Sequence, residues 1–319
     1  MNRGVVGLSR RVSLVPMDLS ADGRSFFAAM YSRRFSGVVR VNVRTSRYTP
    51  IRRFPDPKTD QAVGSFGGRW LVWEELHSLT GSTDFAVWAW DSRRRRAQQI
   101  GAADGWESPF RVPAVRGGHA TWAQGSGPDD LTDVHVYDLR RNRDRVVRHG
   151  HAQGSFFIAG GRIVWPESLL RGAPTRMLVA SVATGARLPA PPALRALRGV
   201  SGLATDGAAI AFPNGDYTAL SWSPSLAAEP RLVFRTGNPG DHVDNSVQIA
   251  GRYALFGVPL RAYLADAGAG RYVQIAPGGF GRLSGAGLVF LKPSKRKRSH
   301  AITDVVVLRR EAFPPIASC

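Results

Sequence analysis

Apolar residues in this chain come in short runs of four to seven, rich in Val, Phe, Trp and Tyr and separated by Gly, Asp and Asn. Runs of that length, bounded by those residues, predict β-strands joined by tight reversals. Helical spacing of apolar positions is nearly absent. A Gly-centred turn followed by an apolar run recurs at ADGRSFFAAM from 21, FGGRWLVWEE from 66, RGGHATWAQ from 116, AGGRIVWPES from 159, TDGAAIAFPN from 205, AGRYALFGV from 250 and GAGLVFLKP from 285. Anchored on Gly23, Gly68, Gly118, Gly161, Gly207, Gly251 and Gly285, the copies lie 34 to 50 residues apart. A period in that range is what radially repeated four-stranded sheets require.

Each copy continues into a second apolar run, such as VVRVNV from 38, FAVWAWD from 85 or VHVYDL from 134, and most into a third, such as RLVFRT from 231. Ahead of each turn lies a run of smaller residues, such as AVGSF from 62. Small side chains suit innermost strands that converge on an axis. The bulky Trp73, Trp88, Trp90, Trp122, Trp165 and Trp222 fall in the second and third strands, where neighbouring sheets must fill a widening wedge. Runs such as VWAW, apolar on both faces, fit sheets covered on either side. The pattern predicts an all-β chain: one domain over residues 1–319, a seven-bladed β-propeller of four-stranded antiparallel blades, with a six-bladed ring as the alternative. The last unit lacks an outer strand, which the segment 4–8 at the N-terminus would supply, closing the ring and covering its open edges.

The repeats resemble the bacterial TolB-like and WD-repeat-like propellers, in which a DG or GG turn introduces a strand ending in an aromatic. The resemblance rests on Gly67-Gly68-Arg69-Trp70-Leu71-Val72-Trp73, Gly160-Gly161-Arg162-Ile163-Val164-Trp165 and Asp22-Gly23-Arg24. The stricter Ser-Pro-Asp-Gly turn of that group is reduced here to Ala-Asp-Gly, Thr-Asp-Gly or Gly-Gly, and no WD dipeptide recurs. The resemblance implies the fold and carries over no catalytic residue.

Composition narrows the functional classes. At 319 residues and 43% hydrophobic, the chain can bury a core. No apolar run approaches the roughly 18 residues of a membrane-spanning helix. The one cysteine, Cys319, excludes an internal disulfide framework and a cysteine-built metal centre. Met1 to Arg11 lacks the apolar stretch expected of a secretory leader. The net charge of +19 points toward polyanions. Among the 43 basic residues, only Lys58, Lys292, Lys295 and Lys297 are lysine. Arginine shares GC-rich codons with the abundant Ala, Gly and Pro, so genome composition accounts for part of that charge.

Fold alone licenses no activity, so function must be argued from sites. In a propeller the connections from outermost to next innermost strand share a face with those between the second and third strands. That rule gathers Asp56, Lys58 and Asp60; Asp104, Trp106 and Glu107; His149 and His151; and Asp241, His242, Asp244 and Asn245 at one channel mouth. Such a ring of carboxylates and imidazoles could hold a metal or place an acid and a base on a substrate. Neither GDHVDN from 240 nor RHGHAQ from 148 has a specific ligand spacing, and no metal or cofactor is expected. Motifs for zinc proteases, P-loops, dinucleotide folds, EF-hands and nucleophile elbows are missing.

Basic residues cluster at Arg93, Arg94, Arg95 and Arg96, at Arg140 and Arg141 with Arg143 and Arg145, and at Lys295, Arg296, Lys297 and Arg298. These are candidate anion-binding groups for phosphate, an acidic polymer or an anionic surface. Aromatic stacking partners beside them are not evident, which argues against sequence-specific nucleic-acid readout. The residues together point to a non-enzymatic scaffold presenting loop surfaces to a protein or polymer partner. A lyase or hydrolase at the channel mouth is the alternative, and a polyanion binder the second.

Overall fold

A computed structural model describes residues 3–6, 12–56, 60–77, 85–103, 112–125, 131–152, 156–168, 175–195, 197, 203–238, 241–243, 247–259, 261–277, 281–293, 303–313 and 316. Strand β1 (Arg3–Val6) precedes a series of four-strand units. The first holds β2 (Val12–Leu19), β3 (Ser25–Ser32), β4 (Ser36–Asn42) and β5 (Tyr48–Arg53), and the second β6 (Gln61–Gly67), β7 (Trp70–Leu76), β8 (Phe85–Asp91) and β9 (Arg96–Ala103). The third holds β10 (Ala114–Arg116), β11 (His119–Gly125), β12 (Thr132–Asp138) and β13 (Arg143–Ala152). The fourth holds β14 (Phe157–Ala159), β15 (Arg162–Ser168), β16 (Arg176–Ser181) and β17 (Arg187–Leu188), and the short helix α1 (Pro192–Arg195) follows. The fifth holds β18 (Ala204–Thr205), β19 (Ile210–Pro213), β20 (Ala219–Ser223) and β21 (Arg231–Arg235), and the sixth β22 (Gln248–Ala250), β23 (Tyr253–Val258), β24 (Arg261–Asp266) and β25 (Arg271–Pro277). The last contains β26 (Gly281–Ser284), β27 (Gly287–Pro293) and β28 (Thr303–Arg309).

All pairings are antiparallel, as expected. The fourth strand of the last unit is β1, with Arg3 opposite Leu308 and Val6 opposite Val305. Counted by hydrogen bonding there are six sheets among the described residues, because β13 runs on to pair with β15 and fuses the third and fourth units into one eight-stranded sheet. The innermost strands β2, β6, β10, β14, β18, β22 and β26 touch their neighbours in cyclic order, and β26 returns to β2.

The core is divided in the same way. Seven apolar clusters fill the seams between successive units, and the one built from Leu14, Phe26 and Val39 with Val289, Val305 and Val307 joins the last unit to the first. Inner strands leave N–H and C=O groups unpaired along their axial edge, and unpaired backbone groups need partners. Side chains of the preceding unit supply several. Asp18 Oδ2 accepts from Phe66 N–H at 2.8 Å, and Ser65 Oγ donates to Pro113 O at 2.6 Å. Gln248 donates to Gly281 O and accepts from Leu283 N–H, each at 2.7 Å. Close approach also explains the small residues near the axis, since a Cβ on Gly67 would lie 2.4 Å from Val115 O.

The turn between third and fourth strands is built alike in five units. A polar residue at its start accepts backbone N–H groups: Asn42 from Arg44 and Thr45, Asp91 from Arg93 and Arg94, Asp138 from Arg140 and Arg141, Ser181 from Thr184, Asp266 from Ala269. Four residues on, the backbone turns left-handed at Ser46, Arg95, Asn142, Gly185 and Gly270, with φ between 53° and 75°. Asn, Asp and Ser favour such turns because their short side chains mimic a backbone acceptor.

Candidate functional site

Two of the arginine groups named from sequence occupy equivalent turns of adjacent units. Arg93 to Arg96 and Arg140 and Arg141 are all exposed. The turns are tied side by side: Gln98 Nε2 on β9 donates to Asn142 Oδ1 at 2.9 Å, and Tyr137 OH donates to the same oxygen at 2.6 Å. The acids at these turns are occupied. Asp91 takes Arg69 Nε at 2.7 Å as well as two backbone N–H groups, and the Arg69 hydrogen bond leads the effects that hold its carboxyl down to about 2. Asp138 Oδ2 accepts from Arg141 Nη1 at 3.0 Å. Arg94 Nε also lies 3.9 Å from Asp91 Oδ2, so the two turns set six exposed arginines beside Asp91 and Asp138.

The mouth side differs from expectation. His149 and His151 lie within β13 and not in a loop, because that strand continues until His151 opposes Ser168 of the next unit. His149 Nδ1 meets Asp133 Oδ1 at 2.7 Å across the β12–β13 ladder. Asp241 accepts from Asn238 Nδ2 at 3.3 Å, and the adjacent His242 is exposed. Asp104, Trp106, Glu107, Asp244 and the run Lys295, Arg296, Lys297 and Arg298 lie outside the described residues. Among the described residues, His149, His151, Asp241 and His242 join no cluster of three ligating groups.

One such cluster does form, in the seam between the first two units. Asp60, Glu75 and His77 bring ligand-type atoms within 4.8 Å of one another. Asp60 precedes β6, and Glu75 and His77 follow Trp73 at alternate positions along and just past β7, so one face of the strand carries all three. His77 Nδ1 lies 3.4 Å from Asp60 Oδ1, and Nε2 lies 3.7 Å from Glu75 Oε1. Arg52 Nε donates to Glu75 Oε2 at 3.0 Å. Each ring nitrogen of His77 thus faces one acid. A metal would use only one of those nitrogens and would sit beside a guanidinium. Burial, with the charges of Asp60 and Glu75 adding to it and the Ala62 N–H opposing, pushes the nearby Tyr31 hydroxyl up to about 12. Sequence reasoning found Asp60 and missed Glu75 and His77; the signal was the alternation Trp73, Glu75, His77.

Asp18 on β2 and Arg282 on β26 are half-buried on neighbouring inner strands. Burial raises Asp18 to about 6, against the lowering effect of the Phe66 and Leu19 N–H groups and of Arg282.

With this geometry in hand, solved structures place the fold. The chain matches a prolyl endopeptidase at 15% identity with a TM-score of 0.60, covering 95% of this chain and 47% of that one, so it spans about half of that enzyme. It matches oligogalacturonate lyase from Vibrio parahaemolyticus at 10% identity and a TM-score of 0.61, covering 98% and 94%. It matches the β-propeller domain of the Trilobed protease from Pyrococcus furiosus at 12% identity and 0.59, covering 94% of each. The chain is a β-propeller, and identities this low establish the fold alone. No protein-family model matches, and neither does any curated protein. No helix among the described residues is long and apolar enough to cross a membrane.

Proposed function

We propose that this propeller is a non-catalytic binding scaffold, and that the ridge of Arg93 to Arg96 with Arg140 and Arg141 engages an acidic protein or polymer. The observation that carries the reading is the Gln98–Asn142 link, which sets two arginine-rich turns side by side. Arg95 adds to it. At that left-handed position two other units have Gly, and a strained residue held at a surface turn is a reason to look for function. Asp91 and Asp138 also pair with Arg94 and Arg141, and the six arginines outnumber these two acids. Retention on immobilised heparin, measured over a series of NaCl concentrations, tests the reading. Affinity should fall linearly in log–log form with salt, as counterion release demands; salt-independent retention would argue against it.

A second reading, a lyase or hydrolase at the mouth, rests on the Asp60–Glu75–His77 grouping, where an imidazole a quarter exposed is flanked by two acids. Turnover of an oligouronate or peptide that is lost in His77→Ala would favour it. Unchanged turnover in that variant would remove the grouping from consideration.

A further inference from the structure

The fourth unit departs from the others in its outer strand. Strand β17 pairs with β16 only at Val179–Leu188 and Ala180–Arg187 and then stops. Pro189, Pro191 and Pro192 follow, residues that cannot donate to a ladder. The edge of β16 from Arg176 to Leu178 is therefore left without a neighbouring strand among the described residues. Helix α1 turns back toward this gap with Leu194 buried, and a cavity of about 450 Å³ remains between them. That volume lies within the roughly 300–1,000 Å³ of small-molecule sites.

The lining has a definite chemistry. Leu178, Leu188 and Leu194 make an apolar floor, Arg176, Arg187 and Arg195 bring three cations, and no Asp or Glu lines it among the described residues. Arg176 Nε is buried with no hydrogen-bond partner among the described residues. The acid across the ladder from it, Glu167, is already held by Arg148 at 3.0 Å and 2.6 Å. Arg195 Nε donates to Ala190 O at 3.0 Å, which fixes that side chain against the cavity rim. A buried donor without an acceptor is costly, and a charged one more so.

We propose that this cavity binds a small organic anion, with its carboxylate, sulfonate or phosphate on the arginines and its apolar body on the leucine floor. An inorganic ion would leave the floor wet, and a neutral apolar ligand would bring no counter-charge to Arg176 and Arg187. The site shares no residue with the arginine ridge, so either can fail without the other.

Isothermal titration of the full chain with 1-naphthyl phosphate tests it, with inorganic phosphate and 1-naphthol as the head and the body alone. The expected result is one saturable site, at least tenfold weaker binding of each fragment, and at least a tenfold loss in Arg176→Gln/Arg187→Gln. Arg33→Gln/Arg34→Gln, at exposed positions outside either site, should bind as wild type. Should the first double variant fail to fold, Arg187→Gln alone, at a solvent-facing position, should still lose threefold or more. No saturable binding, phosphate binding as tightly as the naphthyl ester, or unchanged affinity in the Arg187 variants would overturn the proposal.

Discussion

Arg52 and Glu75 close the seam between the first and second units: the guanidinium donates to both carboxylate oxygens, at 3.0 and 3.2 Å, while its Cζ rests 3.5 Å from the centre of the Trp88 ring. Trp73 Nε1 donates to the same carboxylate at 3.2 Å. The arrangement recurs two units on, with Arg148 on Glu167 and Trp165 Nε1 donating to Glu167 at 3.4 Å. Arg52 and Arg148 hold equivalent ladder positions, opposite Val38 and Val134 and beside the same bulge. In the unit between them that position, opposite Val87, is Gly101, where a Cβ would come within 2.8 Å of Trp122. A ring takes the space of the ion pair there.

Glu75 is fully buried, so removing its cation strands a charge, a loss worth about 3 kcal/mol or more. Arg52→Ala should lower the unfolding free energy by that amount, while Arg52→Met/Glu75→Met, which removes both charges, should cost much less. The equivalent Arg148→Ala should be milder, because Arg148 is 40% exposed against 23% for Arg52. Equal losses in the single and double variants at the Arg52 seam would show that packing, and not charge, holds it.

Gly67 tests the convergence of inner strands. The atom its Cβ would strike, Val115 O, is backbone and belongs to the next unit, so the strand itself must move. Gly67→Ala should destabilise the fold by about 2 kcal/mol or more, as overpacking does, whereas Gly68→Ala meets no atom within 4 Å and bears only the strain of its φ of +73°. Thermal unfolding of the two variants gives the comparison.

Arg95 should be replaceable with a gain in stability. A non-glycine residue at a left-handed φ costs about 1 kcal/mol, and Gly185 and Gly270 already occupy the equivalent turns. Arg95→Gly is expected to match or exceed the wild-type midpoint while weakening retention on heparin. A clear loss of stability would mean that the Arg95 side chain supports the turn.

Asp18 gives a pH dependence. Its carboxyl is raised from 3.8 to about 6 in the folded chain, so between those values the folded state holds a proton that the unfolded chain has released. The contribution is present in full below about pH 3.8 and is lost as pH rises through about 6. Asp18→Asn should flatten that descent across pH 4 to 6, read as the difference in unfolding free energy between variant and wild type. An unchanged slope would place Asp18 at an ordinary pKa.

The repeat was legible because one physical demand recurs at six of the seven first turns. Gly23, Gly68, Gly118, Gly161, Gly207 and Gly251 all have positive φ, which only glycine adopts freely. Bulky second and third strands were likewise visible, since Trp73, Trp122 and Trp165 fill seams that widen outward. The candidate sites were less visible for the same reason that the fold is stable. Partners such as Arg52 and Glu75 lie on different units, and no local spacing joins them. His149 and Gly150 read as a loop because they are polar and small, yet the ladder carries β13 through them to Ala152. The cavity beside β16 was hidden because it arises from a strand that stops early, and proline after a two-residue run looks like any turn.

The central claim concerns one face, so the most direct measurement compares arginines at equal charge. One variant changes Arg93, Arg94, Arg95, Arg96, Arg140 and Arg141 to Gln; the other changes the exposed Arg33, Arg34, Arg235, Arg261, Arg271 and Arg309. Heparin affinity at fixed salt should collapse in the first and fall only slightly in the second. Equal losses in the two would show that net charge alone draws the polymer, and would contradict a dedicated binding ridge.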